Sequence, residues 1–171
     1  MTSLPPDNNP YRAPTAAVRD APPPPRSPIV AVLVGLVVDI GGSMLASIVI
    51  GIVYAVVLAT RGMPPAEVGR TLTALDPSSG YFIFSSMTGF GFSLLGGYVC
   101  ARIARRDERR LSVILAALIE VIGLVLGAAT LGIALNVLML VVTFAVVIAG
   151  GELGRRRNLA DARKIGAATA A

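Results

Sequence analysis

Two carboxylates stand where only a membrane chemistry has use for them. Asp39 lies ten residues into the apolar run that starts at Ile29, and Glu120 lies nine residues into the run that starts at Leu111. No Lys or Arg lies inside either run. An acid at the centre of a membrane helix costs ~2.5–3.5 kcal/mol, so such residues mark ion or proton sites by default. The two acids reach the same depth if their helices start at the same membrane face. A protonated carboxyl donates a hydrogen bond, and an ionised one holds a proton or a small cation. Ser43, one helical turn beyond Asp39, adds a hydroxyl. Asp39, Glu120 and Ser43 are therefore the candidate ion or proton site. The competing role is structural: Asp39 bonded to Ser43, and Glu120 holding two helices together, each bond contributing about 1 kcal/mol or less.

Other chemistries are harder to assemble. The chain has no histidine and a single cysteine, Cys100. That removes the commonest general base and metal ligand, and with them Ser–His and Cys–His catalysis. The expectation is a non-enzymatic protein with no cofactor and no metal site. The net charge of +5 raises the question of nucleic acid. Yet the basic residues sit at the edges of apolar runs with no aromatic residues between them, so no nucleic-acid partner is expected.

The elements that position the acids follow from composition. Hydrophobic residues make up 54% of the 171 and charged ones only 15%, and the apolar residues fall in long blocks. This is an all-α integral membrane pattern. Residues 1–28 hold nine of the twelve prolines and are expected to be a disordered tail, since proline removes backbone donors. No signal peptide is expected, because the first apolar block is too long and too far in. The membrane domain is read as 29–152, with helices at 29–59, 80–104, 111–130 and 134–151. The last two come from one apolar stretch too long for a single crossing, with the turn placed at Thr130–Asn136. Gly41–Gly42 would permit a bend in the first helix. Residues 60–79 form a loop, with Pro64–Pro65 starting a short amphipathic helix whose Val68, Leu72 and Leu75 share one face. Residues 105–110 form a basic turn and 153–171 a basic tail.

Four crossings put both termini on one side. Thirteen of the fifteen basic residues lie on that side, among them Arg102, Arg105, Arg106, Arg109, Arg110, Arg155, Arg156 and Arg157; only Arg61 and Arg70 lie on the other. The positive-inside rule makes the first side cytosolic. The same arginines attract anionic lipid.

Small residues recur every fourth position. The first helix reads Ala31, Gly35, Asp39, Ser43, Ser47, Gly51, Ala55, Ala59; the second reads Ser85, Gly89, Ser93, Gly97, Ala101; the third carries Gly123 and Gly127. In lipid, such rows let backbones approach closely. They serve the packing of the first two helices on each other, or assembly into a homo-oligomer or with another membrane protein.

The segment GGYVCARIARRDERRLSVILAALIE and the NPYRAP stretch of the tail resemble features of small bacterial inner-membrane proteins. The resemblance covers about 30 residues. It implies a multi-pass protein of the bacterial inner membrane and brings no activity. Small multidrug exporters share four helices and an acid in the first, but the strong charge bias departs from their pattern. Major-facilitator carriers share a basic turn, but no Asp precedes it here. The expected role is an accessory or scaffold protein acting through helix packing; the alternative is a proton or small-cation carrier using Asp39 and Glu120.

Overall fold

The computed structural model describes residues 27–74, 76–127 and 132–169. They form α1 (Pro28–Thr60), α2 (Pro65–Thr73), α3 (Gly80–Ala104), α4 (Glu108–Gly127) and α5 (Ile133–Thr169), with no strand among the described residues. Three of these helices, α1, α3 and α5, are long and apolar enough to cross a membrane. The tail expected to be disordered lies outside the described residues up to Arg26, as do Leu75 and part of the turn expected at Thr130–Asn136.

Local chemistry sets most of the helix ends. Pro28 opens α1 and Pro65 opens α2, where a missing N–H is no loss. The Ser79 hydroxyl caps α3 by accepting the Phe82 N–H at 3.1 Å. Just before it, the Asp76 carboxylate accepts the N–H and the hydroxyl of Ser78 at 2.9 and 2.8 Å. These bonds favour its charged form and hold it below the usual carboxylate range. At the other end, α3 stops at Arg105, which takes the left-handed conformation of a helix C-terminus (φ 50°). Asp107 is left-handed too (φ 49°), so the chain reverses within three residues.

Three boundaries differ from expectation. The basic turn is 105–107 rather than 105–110, so Arg109 and Arg110 belong to the first turn of α4. Consequently α4 begins at 108 instead of 111, and it is described as far as Gly127. The largest difference is α5, a 37-residue helix that runs through the residues expected to be a separate tail. A change from apolar to polar composition marks a change of solvent. It does not end a helix, and 153–169 contains good helix formers and no proline.

The helix α3 lies at the centre, with α1 on one side, α5 on the other and α4 in contact with all three. The tightest packing sits at one end of the bundle. Ala31 and Val32 of α1, Cys100 and Ala104 of α3, Leu111, Leu115 and Ala116 of α4, and Val147 of α5 form one buried cluster. Toward the other end α1 leaves the cluster and exposes Met44, Leu45, Ile48, Val49, Ile52 and Val53, as a lipid-facing helix does. There α2 leans on α1, with Leu58 and Val68 buried.

Backbone contacts replace side chains between the helices. A methyl group on Gly96 would stand 2.8 Å from the Gly35 carbonyl oxygen. One on Gly35 would stand 2.9 Å from the Leu115 side chain and 3.0 Å from Cys100. On the opposite face of α3, a Cβ at Gly97 would overlap the Val147 carbonyl, and one at Gly150 would overlap the Leu94 carbonyl. The expected packing of the first two membrane helices on each other is thus present at Gly35 and Ser93, and Gly97 serves a different pair, α3 with α5. Four other expected packing positions make no close contact within this chain. Gly89 and Gly123 have nothing within 4 Å of a Cβ position, Ser47 is exposed, and Gly51 makes only ordinary contact with the Tyr81 hydroxyl. The side chain position at Gly127 is outside the description. The physical reason is rotational drift: four residues turn 400°, so a strict four-residue row moves off the interface until a three-residue step restores it. On α1 that step is Asp39 to Gly42, and the inward row continues through Ala46, Ile50, Tyr54 and Leu58, which with Gly42 are all buried or half-buried.

Candidate functional site

Asp39 sits in the one widened turn of α1. Residues Val37–Gly41 are π-helical, a form that appears mostly as single turns and often at functional sites. The wide turn takes more residues per revolution, so Asp39 stays on the inward face that Ala31 and Gly35 define. Asp39 is 3% exposed and Ser93 of α3 is 5% exposed. The Ser93 hydroxyl donates to the Asp39 carboxylate at 2.8 Å. Gly96, one turn along α3, lets the two backbones close: a Cβ there would lie 3.0 Å from that of Asp39.

Ser43 does not make the bond expected of it; the partner of Asp39 comes from α3 instead. Within a helix, the residue four positions on is held about one turn away along the same surface, whereas an interhelical hydroxyl points across the gap. Ser93 did stand out in the sequence, but as a small packing residue. The signal for its second role was its depth. Asp39 is eleven residues from Pro28 and Ser93 eleven from Ala104, so each lies ~16 Å from the same end of the bundle at 1.5 Å per residue.

Glu120 belongs to this layer. It is twelve residues into α4, or ~18 Å from that end. It is half-buried, and its Oε1 is enclosed without a hydrogen-bond partner among the described residues. The two carboxylates thus lie at a similar level of the bundle. No Lys or Arg ion-pairs with either among the described residues.

A cleft of about 230 Å³ opens at the acid layer. Asp39, Ser86, Ser93 and Thr143 supply its polar lining, and Phe90 and Met139 part of its apolar wall. Ser86, Met139 and Thr143 were not singled out in the sequence. The Thr143 hydroxyl already donates to the Met139 carbonyl at 2.9 Å, so its oxygen keeps only acceptor capacity. Glu120 is not part of this lining. The arrangement can therefore hold a proton or a small cation at Asp39, with hydroxyl oxygens as further ligands, and Glu120 as a second charge nearby.

The arginines divide into two groups. Arg102 bonds Asp161 at 2.7 Å and Asn158 at 2.9 Å, and Asn158 in turn donates to the Ala101 carbonyl at 2.9 Å. Glu152 takes Arg155 through two bonds of 2.6 and 2.9 Å, with Arg109 and Arg156 each at 3.4 Å. These contacts clamp the polar part of α5 to the ends of α3 and α4. Arg105, Arg106, Arg110 and Arg157 have no ion-pair partner among the described residues. No family model, curated protein or solved structure matches this chain.

Proposed function

We propose that this chain is a four-crossing protein of the bacterial inner membrane whose working centre is the acid layer, and that Asp39 binds a proton or a small cation there. In this reading α4 is the fourth crossing: its 111–127 stretch holds one charged residue, Glu120, and is otherwise apolar but for Ser112. Both termini and the 105–107 turn face the cytosol. One observation carries the functional reading. A carboxylate with almost no exposure is held at mid-depth by a single hydroxyl, and no cation among the described residues pairs with it. A purely structural bundle gains little from such a group, since a Ser–Asp bond in a membrane returns about 1 kcal/mol against a larger cost of burial.

The test is proton and sodium flux in proteoliposomes under an imposed gradient. Wild type should conduct above empty vesicles, Asp39→Asn should abolish the flux, and Glu120→Gln should reduce it. Wild-type flux equal to that of empty vesicles, or flux unchanged in Asp39→Asn, would remove the acid layer from function. The accessory or scaffold reading would then lead. Its supporting feature is the polar extension of α5, which presents Leu159 and Ile165 outward as a surface for a cytosolic partner.

A further inference from the structure

The cytosolic end of the bundle has a cleft of about 480 Å³ between the start of α1 and the α3–α4 turn. Arg106 and Arg110 line one side, Ser27 and Pro28 the other, with Ala104, Leu111 and Ile114 beneath. Asp107 also stands on the rim. We infer that this cleft binds the phosphate of an anionic lipid headgroup.

Four observations point the same way. First, the arginines divide by where they lie. Arg102 and Arg109 are tied to Asp161 and Glu152 of α5, while the two that line the cleft have no ion-pair partner among the described residues. Second, the cleft carries net positive charge: two guanidiniums outweigh Asp107, and the start of α1 adds unpaired backbone N–H groups and the positive end of its dipole. Third, guanidinium forks suit the oxygens of a phosphate, which they hold by paired bonds. Fourth, the lining is apolar below the arginines and runs onto Ile114, which is about half exposed, with Ile29 and Leu33 exposed on the neighbouring helix. In a membrane-spanning bundle these side chains meet acyl chains. An occupant with a phosphate above and a hydrocarbon tail below matches both parts; a free phosphate uses only the upper one. The inference rests on the chain being embedded in the membrane with this end at the surface, and not on any role of Asp39.

The experiment uses the full chain in detergent, stripped of lipid and titrated with phosphatidylglycerol or phosphatidylcholine, with bound lipid counted by native mass spectrometry. Wild type should retain one phosphatidylglycerol in preference to phosphatidylcholine. The double variant Arg106→Gln, Arg110→Gln should lose roughly tenfold or more of that affinity, given about 1 kcal/mol per basic residue at a membrane surface. Arg105→Gln, which changes the same turn but lies outside the cleft, should leave it unchanged. Equal loss in Arg105→Gln, or no preference in wild type, would reduce the effect to general surface charge and overturn the site. Displacement of the lipid by millimolar inorganic phosphate would overturn the lipid assignment and make the occupant a soluble phosphate. Size-exclusion profiles verify that each variant is folded.

Discussion

Carboxylates at the two levels of this bundle solve opposite problems. At the charged end, Glu152 and Asp161 each meet an arginine on a neighbouring turn or helix, where both partners are partly open to solvent. At mid-depth, Asp39 has a serine hydroxyl and Glu120 has an enclosed oxygen with no partner among the described residues. The surface pairs are replaceable, because solvent would accept either charge if its partner were removed. The deep acids have no such alternative. The same functional group is thus architecture at one level and an unmet demand at the other. The role proposed for the inner layer rests on that contrast.

The largest effect should come from the contact that holds both levels in register. Gly97 and Gly150 meet carbonyl groups of the facing helix, where neither backbone has a side chain to move aside. Gly150→Val should separate α3 from α5 and destabilise by ~2–3 kcal/mol, in the range of overpacked cores. Thermal unfolding in detergent measures this. Gly123→Ala is the internal comparison: open space surrounds Gly123, so the change should be neutral or stabilising by up to ~1 kcal/mol through helix propensity. If both variants behaved alike, the close α3–α5 approach would be wrong.

A smaller effect should separate the layers themselves. Ser93→Ala removes the only hydrogen bond to the Asp39 carboxylate among the described residues and should cost about 1 kcal/mol or less in detergent unfolding, while altering ion or proton binding strongly. Ser43→Ala should do neither. Equal behaviour of the two serines would return Asp39 to the intrahelical bond that the sequence alone suggested.

That pair of serines shows what could be read from the sequence and what could not. Runs of apolar residues located α1, α3 and α4 to within a few residues, because burial in lipid demands length and little else. The placement of both acids at matching depth was likewise countable from the helix starts. The identity of the partner was not, because it depends on helix rotation, and the π turn at Val37–Gly41 changes rotation by a fraction of a residue that no four-residue pattern encodes. Gly150, Gly151 and Gly154 escaped notice for a related reason. They lie where apolar sequence gives way to charge, so GGELG read as an ending, while in the fold a Cβ at Gly154 would come within 2.7 Å of the Tyr98 carbonyl. The clue was present in Glu152 with Arg155 and Arg156, three and four residues on, a spacing that supports a continuing helix.

The smallest effect belongs to the surface clamp. Arg102→Gln removes the bonds to Asp161 and Asn158, both partly open to solvent, so global stability should scarcely change. Local order should change more, because 158–168 has little apolar contact to hold it once the clamp is gone. Hydrogen–deuterium exchange should quicken there and stay constant through 139–151, where buried packing against α3 protects the amides. Uniform quickening along α5 would mean that the arginine supports the membrane segment as well. The two levels would then be mechanically linked, and a change in charge at the arginine-rich end would reach Asp39 through α3, the helix that carries both Arg102 and Ser93.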